Sequence, residues 1–270
     1  MGLSFSADHK WVFVDDALEG IVPEQTTLII NSDDPNYHHL VRVSRVKPGE
    51  KLVLVSRSNA GVVAPAVVTV VDKRALHCLF TGAAATPPRP NTPQITVVLA
   101  LPKADTTSVV LEKLVELGVE RIVPCWSERS QRWLKPETEK STLQKWQRQL
   151  ELAACQSEQA VLPQLVWPVG GLKEVLEQLP QERLNLLAAE PGLPEMPEPK
   201  PLLQVLSAQA KQSVVLAVGP EGGWSPRDLA LFQQLKFQPF TLGETILKVP
   251  TAVVAAIGVI NAWALAIIKP

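Results

Sequence analysis

The sequence has few of the residues that build disulfide frameworks, zinc sites and hydrolytic triads. Its three cysteines, Cys78, Cys125 and Cys155, are widely spaced and form no CxxC pair, so we expect neither disulfides nor zinc and a reducing compartment. The four histidines all precede residue 80, which leaves the rest of the chain without an imidazole for a triad or a metal. We therefore expect no metal. We expect His38 and His39 to lie on a surface turn after Pro35 rather than to form a functional pair. A nucleophilic role for Cys155 stays open, although buried structural cysteine is the commoner case.

An excess of positive charge is also missing. The 26 Lys and Arg residues meet 27 Asp and Glu, which excludes a chain that binds nucleic acid by bulk charge. Two local basic clusters remain: Arg42, Arg45, Lys47, Lys51 and Arg57 form the first, and Arg129, Arg132, Lys135, Lys140, Lys145 and Arg148 form the second. Tryptophans interleave with the second cluster, which suits either RNA contacts or a solvated helix face over a tryptophan core, and the latter is favoured.

The N-terminus has no basic segment followed by an apolar run, so we expect a cytoplasmic protein without a secretory signal. Residues 252–268 form an almost unbroken apolar stretch, interrupted by Asn261, at the lower limit of the roughly 20 residues that span a membrane. A tail anchor is one interpretation. A buried core or interface helix is the favoured one, and we expect no membrane association.

The chain divides by pattern into two domains. Residues 1–82 show short β-type runs with turn signals and predict a small β domain, in which Pro65 indicates an edge strand or a bulge. Residues 83–93 form a proline-rich linker. From residue 94 to 270, apolar strands alternate with amphipathic helices, which predicts a mainly parallel α/β sheet with helices on both faces.

A glycine-rich segment marks the candidate site. In SVVLAVGPEGGWSPRDL an apolar strand leads into a loop and then a helix, with Ser225 at the N-cap, Pro226 at the first position and Asp228 at the third. Such a loop lets backbone amides approach a ligand at the carboxyl end of the sheet, but an ordinary tight turn is an equal alternative. The spacing matches neither the P-loop nor GxGxxG. Residues that directly follow the other predicted strands are candidates for the same edge of the sheet, among them Lys103, Glu128, Arg129, Glu190 and Glu244.

Several motifs in a fixed order resemble one family. The segments LPKADTTSVVLEKLVELGVERIVPCWSERS, AACQSEQ, LAVGPEGGWSPRDL and LGETILKVPTA are similar to the RsmE family of ribosomal RNA small-subunit methyltransferases. YHHLVRVSRVKPGEKLVLV resembles its N-terminal PUA-like β-barrel domain. The resemblance implies a SPOUT-class, trefoil-knotted α/β enzyme. It would methylate N3 of a uridine in 16S ribosomal RNA with S-adenosylmethionine and work as a homodimer on the small ribosomal subunit.

The resemblance also implies roles for individual residues. The implied cofactor-binding residues are Leu101, Ala189, Gly219, Glu221, Gly222, Gly223, Leu242, Gly243, Ile246 and Leu247. The implied RNA-binding residues are Arg42, Arg45, Lys103, Arg129 and Arg132, and the implied catalytic residues are Arg129 and Lys248. Glu128 also matches a family position on the RNA side of the cleft. No side chain stands out as the base that removes the N3 proton.

Four positions depart from the usual family motifs, and we expect all four to face the cleft. Cys155 and Gln159 stand where Glu and Arg are usual, and Lys248 and Pro250 stand where Arg and Glu are usual. Lysine keeps the charge but loses the planar fork of arginine, whereas Pro250 suits the start of the last helix. Two alternatives follow: a catalytically weakened RNA- or ribosome-binding protein, and a methyltransferase with another RNA target. A small-molecule methyltransferase is the least favoured, because it leaves the β domain unexplained.

Overall fold

A computed structural model describes residues 9–87, 93–179, 183–190, 192–193, 196–207 and 213–267. The chain separates into two compact units, Met1–Arg89 with Ala154–Leu162, and Pro90–Ala153 with Pro163–Pro270. Residues 88–92 of the predicted linker lie outside the described residues. The predicted domain boundaries at residues 82 and 94 stay a prediction. The first unit also includes Ala154–Leu162, and a single boundary along the sequence cannot describe a unit made of two separate segments.

The first unit is a five-stranded sheet wrapped around one apolar core. Its strands are β1 (Lys10–Val14), β2 (Thr27–Asn31), β3 (Lys51–Ser56), β4 (Val63–Val71) and β5 (Ala75–Phe80), in the order β1-β3-β4-β5-β2. Only the β1–β3 pair is parallel. Alternate residues point to one face, so that Leu52, Leu54, Ala64 and Ala66 are buried in the same core.

Between β2 and β3 the chain forms a short helix rather than the expected surface turn. Helix α1 (Pro35–Tyr37) continues into a π-helical turn, His38–Val43. The Asp34 side chain accepts the Asn36 N–H at 2.7 Å, and Pro35 starts the helix, so the local sequence contains a helix start signal. The turn predicted at His38 and His39 is therefore wrong.

Pro65 lies inside β4, a central strand, rather than at an edge or a bulge. The register shift in β4 occurs between Val68 and Val70 instead. The Pro65 carbonyl accepts the Thr81 N–H at 3.0 Å, just beyond the last regular β4–β5 pair, Ala66 with Phe80. Pro65 therefore lacks an N–H at a position where the regular pairing of β4 with β5 has ended, and a central strand tolerates proline there. The prediction of an edge strand or a bulge is wrong for that reason.

The second unit is built on a parallel sheet. Its strands are β6 (Gln94–Ala100), β7 (Arg121–Trp126), β8 (Gln164–Leu165), β9 (Gly170–Gly171), β10 (Leu184–Ala188), β11 (Lys200–Pro201), β12 (Ser213–Val218) and β13 (Gln238–Thr241). The order is β11-β13-β10-β12-β6-β7-β8, with β9 also paired to β7, and every pairing is parallel. The predicted parallel sheet is confirmed.

Helices cover both faces of this sheet, as predicted. They are α2 (Ala104–Glu116), α3 (Glu139–Gln156), α4 (Leu172–Glu177), α5 (Leu202–Ser207), α6 (Pro226–Gln234) and α7 (Val249–Ile267). Leu172 of α4 and Phe232 of α6 share a core with Val98 and Val215 of the sheet. Helix α7 packs against α2 and α5 and touches β12. Val97, Val98 and Leu99 are consecutive residues of β6 and all are fully buried. Because neighbouring strand residues point to opposite faces, both faces of this central strand are covered.

The long apolar helix α7 has one buried face. Val253, Ile257 and Ile260 are fully buried, and the Asn261 side chain donates to the Leu117 carbonyl at 3.0 Å. The residue that interrupts the apolar run thus binds the C-terminal end of α2. By length and composition residues 249–266 are also sufficient to cross a membrane, a criterion that core helices meet as well, and 39% of that window is buried.

Candidate active site

One cleft of about 600 Å³ opens at the carboxyl ends of β10, β12 and β13. This is the edge of a parallel sheet at which ligands bind, and the volume is in the range of small-molecule sites. The predicted residues that line it are Lys103, Arg129, Ala189, Gly219, Glu221, Gly222, Gly223, Leu242, Gly243, Ile246, Leu247 and Lys248. The structure thus brings together residues from five separate segments of the sequence.

The glycine-rich loop, residues 219–223, forms one wall of the cleft. Gly223 has a φ of +66°, a backbone conformation that favours glycine, and its N–H closes a turn onto the Pro220 carbonyl at 2.9 Å. A Cβ at Gly219 would lie 3.1 Å from the Trp224 ring. Trp224 is buried, donates its indole N–H to the Ala188 carbonyl at 3.1 Å and packs edge-on against Phe232. The loop is therefore anchored to the end of β10.

Helix α6 begins directly after this loop with a capping box. The Ser225 hydroxyl accepts the Asp228 N–H at 3.1 Å, and the Asp228 carboxylate accepts the Ser225 N–H at 3.0 Å. Asp228 is buried and also accepts the Glu128 N–H at 3.4 Å. The box was predictable from the sequence. The contact to Glu128 was not, because the two residues are 100 positions apart.

The turn after β6 and the segment after β7 approach the glycine-rich loop from the other side. Both carboxylate oxygens of Glu221 lie 3.3 Å from the Lys103 N–H. Arg129 donates to the Gly222 carbonyl at 3.2 Å, and a Cβ at Gly222 would lie 3.4 Å from the Arg129 Cβ. Lys103 and Arg129, the two predicted RNA-binding residues that line the cleft, therefore both form hydrogen bonds with the predicted cofactor loop.

The segment between β13 and α7 forms the remaining wall. Gly243 has a φ of +146°, and the Thr241 hydroxyl donates to the Gly243 carbonyl at 2.6 Å. Ile246 is 79% exposed, an unusual state for a large apolar side chain, and its neighbours in this wall are Leu247 and Lys248. Pro250 occupies the second position of α7, where its missing N–H has no helical partner to lose.

Charged groups of both signs line the cleft. The cations are Lys103, Arg129 and Lys248, and the carboxylates are Glu190, Glu221 and Glu244. The Ser225 hydroxyl holds the pKa of Glu128, the residue next to Arg129 in the sequence, below its ordinary value, and Arg227, 3.5 Å away, adds to the effect. Beneath the site, burial raises the pKa of Cys125, with a further contribution from the Asp228 carboxylate. Cys125 is thus an inert core thiol rather than a nucleophile.

Other predicted residues lie elsewhere. Leu101 is fully buried and does not line the cleft, and Arg132 is exposed outside it. Arg42 and Arg45 are exposed in the first unit, where Arg45 has a φ of +51°. Their binding roles stay predictions.

Two of the four departures from the family motifs line this cleft, and two do not. Lys248 and Pro250 are lining residues. Cys155 and Gln159 are not among them, and they belong to the part of the chain grouped with the first unit. The expectation that all four face the cleft is therefore wrong for this pair, since the end of α3 leaves the second unit at Ala153.

Sequence reasoning missed several lining residues. Thr106, Leu193 and Trp224 line the cleft without having been singled out. Glu190 and Glu244, which were expected at this edge of the sheet because they directly follow predicted strands, line it as well. Trp224 carried no such signal, because its role depends on the Ala188 carbonyl of another strand.

The comparisons with known proteins agree with this geometry. A family model of an RNA methyltransferase domain matches residues 89–261, and a model of an RNA methyltransferase PUA domain matches residues 33–81. The chain is 30% identical to ribosomal RNA small subunit methyltransferase E of Mycobacterium bovis, over 89% of this chain and 88% of the relative. It is 35% identical to the Synechocystis protein of the same name, over 62% of this chain and 53% of the relative.

A solved structure extends the likeness to three dimensions. Ribosomal RNA small subunit methyltransferase E of Neisseria gonorrhoeae, bound to S-adenosyl methionine, superposes with a TM-score of 0.76 at 26% identity, covering 94% of this chain and 97% of that one. Together with the sheet order, these matches confirm the predicted fold class: a SPOUT-type, mainly parallel sheet with helices on both faces, and a separate PUA-like β unit.

Proposed function

Because the chain belongs to the ribosomal RNA small subunit methyltransferase E family, we infer that it is an S-adenosylmethionine-dependent methyltransferase of small-subunit ribosomal RNA. We propose that its acceptor is N3 of a uridine in 16S ribosomal RNA. The observation that carries this proposal is the cleft at the carboxyl ends of β10, β12 and β13, because it joins the glycine-rich loop, the 242–248 segment and the RNA-side cations in one space.

The residues of the cleft fit S-adenosylmethionine. The methyl group that this cofactor supplies is already activated by its sulfonium charge. Apolar side chains of Ala189, Leu242 and Leu247 suit an adenine ring, and the carboxylates of Glu190 and Glu244 suit the ammonium group of the methionine part. A Cβ at Gly219 would contact the Trp224 side chain, and a Cβ at Gly222 would contact the Arg129 side chain. Glycine at these two positions therefore lets the wall of the cleft pack closely without a side chain of its own.

The protein's own contribution is positioning and charge. The uridine has to leave its stack to reach the cleft, which costs least in an RNA loop. Loss of the N3 proton leaves negative charge on the base, and Lys103, Arg129 and Lys248 line the space where that charge develops. We propose Arg129 and Lys248 as the side chains that stabilise it, and Lys103 as a contact to the RNA.

The test is methyl transfer by the purified protein from labelled S-adenosylmethionine to small ribosomal subunits that lack uridine-N3 methylation. We expect 3-methyluridine at one site, identified by mass spectrometry of the nucleosides. Arg129→Ala and Lys248→Ala are each expected to lower kcat/KM by roughly tenfold or more, as removal of a charge from the reacting centre does. A methylated nucleotide of another kind would redirect the proposal to a different RNA target.

A second candidate is a weakened enzyme that acts chiefly by binding RNA. Lys248 and Pro250, which replace the usual Arg and Glu, line the cleft and favour this candidate. A large gain in methyl transfer by Lys248→Arg, alone or with Gln159→Arg, would support it. Full activity of the natural sequence, with no gain in these variants, would exclude it.

We also propose that the protein works in the cytoplasm as a homodimer. The exposed face of α7 supports the dimer, because it carries Thr251, Val254, Gly258, Ala262 and Leu265 at helical spacing. An apolar stripe of this kind is typical of a helix that packs against a second protein surface.

A further inference from the structure

The turn that carries Lys103 has an amide end and a carbonyl end, and different elements hold them. Lys103 is the N-cap residue of α2, and its own side chain makes no capping hydrogen bond. The N–H of this residue instead faces both oxygens of Glu221, a residue 118 positions away. Glu221 thus caps α2 from another element and places its charge at the helix end that favours an anion.

The carbonyl end of the same turn is fixed from the opposite side. The Pro102 carbonyl accepts the Trp133 indole N–H at 2.7 Å and the Thr107 hydroxyl at 3.1 Å. With this end fixed, the contact to Glu221 settles the direction of the Lys103 backbone.

Glu221 is itself presented by a firmly held loop. The turn between Pro220 and Gly223 is closed by a hydrogen bond, and Trp224 anchors the following residues to β10. The carboxylate therefore has a fixed position relative to the cleft wall, and it passes that position on to Lys103.

We propose that Glu221 is a positioning residue for Lys103 rather than a ligand of the cofactor: by capping α2 it sets where the Lys103 ammonium meets the RNA. The proposal rests on the proposed function, because Lys103 is an RNA contact there. It differs from the role that the family resemblance implies for Glu221, and it assigns the residue to RNA affinity.

The test separates the affinity for RNA from the affinity for the cofactor. Glu221→Ala is expected to raise the KM for small ribosomal subunits roughly three- to tenfold, the range of one lost hydrogen bond, and to leave the Kd of S-adenosylmethionine within about twofold. Glu221→Gln keeps one carbonyl oxygen for the Lys103 N–H and is expected to recover most of the loss. Asp105→Ala is the matched control, because Asp105 is an exposed carboxylate in the first turn of the same helix.

Two outcomes overturn the proposal: a Kd for S-adenosylmethionine that weakens as much as the KM for RNA rises, or no change in either. Amide hydrogen exchange of residues 103–107 in the protein without substrates tests the cap independently of catalysis. Faster exchange in Glu221→Ala than in Asp105→Ala supports the cap even if the natural sequence transfers no methyl group, and equal exchange overturns it. Failure of the proposed function would appear instead as absent methyl transfer by the natural sequence.

Discussion

At the scale of single residues, Asp228 holds two segments of the candidate site together, and its local sequence indicates only one of these two contacts. It is 4% exposed, closes the capping box with Ser225 and accepts the N–H of Glu128. A buried carboxylate that accepts backbone N–H groups from two segments fixes those segments relative to each other. The start of α6 and the segment that follows β7 are therefore joined by one side chain.

Replacement of this carboxylate should destabilise the second unit. We expect Asp228→Ala to lower the free energy of unfolding by about 1–3 kcal/mol, from the lost cap and the unpaired N–H groups that remain. Urea denaturation followed by tryptophan fluorescence measures the change. Asp105→Ala, an exposed acid in the first turn of α2, should cost well under half as much. Equal losses for the two variants would show that Asp228 contributes only its helix-dipole interaction.

Residue patterns predicted the local role of a residue, such as a helix start, but not the distant residue that it contacts. Ser225, Pro226 and Asp228 identified a helix start, and Pro250 identified the start of α7. Pro65 was assigned wrongly because the end of the β4–β5 ladder depends on the other strand. Asn261 could be recognised as an interruption, but its acceptor, the Leu117 carbonyl, is 144 positions away.

At the scale of elements, the segment between β7 and α3 is held by a row of tryptophans. Trp126, Trp133, Trp146 and Trp167 pack edge-on in sequence, with ring centroids 6.3, 6.1 and 5.6 Å apart. Trp146 is buried. The edge-on packing gives these rings a structural role, as the favoured interpretation expects, but Trp126 and Trp133 are only half-buried. The row also fixes Pro102 through the Trp133 N–H.

Two substitutions of Trp133 separate the contribution of ring packing to the free energy of unfolding from that of the hydrogen bond. Trp133→Phe keeps an aromatic ring in the row and loses the N–H, so we expect a loss of about 1 kcal/mol of unfolding free energy. Trp133→Ala also removes the ring contacts and should cost about 2–4 kcal/mol. Thermal unfolding measured by circular dichroism gives both values. A phenylalanine variant as unstable as the alanine variant would mean that the hydrogen bond, and not the ring packing, holds the segment.

At the scale of the whole molecule, α7 has two faces with different environments. Val253, Ile257 and Ile260 are buried against the rest of the second unit, whereas Val254 is 40% exposed and Leu265 is 64% exposed. An exposed apolar stripe on a helix next to the cleft supports the proposed interface between two copies of the chain.

A charge on this stripe should therefore separate the proposed homodimer. We expect Val254→Glu to weaken dimerisation by at least about tenfold, because a two-fold interface would bury the unpaired charge twice. Sedimentation velocity over a range of concentrations measures the effect. Ile29→Glu, at a 50% exposed apolar position in the first unit, is the control and should leave the dimer intact. A natural sequence that sediments as a monomer would refute the dimer.

The sequence by itself determined the class of each unit and the identity of the glycine-rich loop. Alternating apolar strands and amphipathic helices predict a parallel sheet because hydrophobic burial follows the period of each element. Gly219, Gly222 and Gly223 marked the candidate site, with an ordinary tight turn as an equal alternative, because residues without a Cβ let backbone amides approach a ligand closely.

Only the tertiary structure decided how these parts meet. The contacts of Glu221 with Lys103, of Arg129 with Gly222 and of Trp224 with Ala188 join segments that lie far apart in the chain. No local preference encodes such a pair, because each contact arises from the strand order that brings β6, β7, β10 and β12 side by side. Cys155 and Gln159, which sequence motifs place with the site, are not among the residues that line the cleft of this chain.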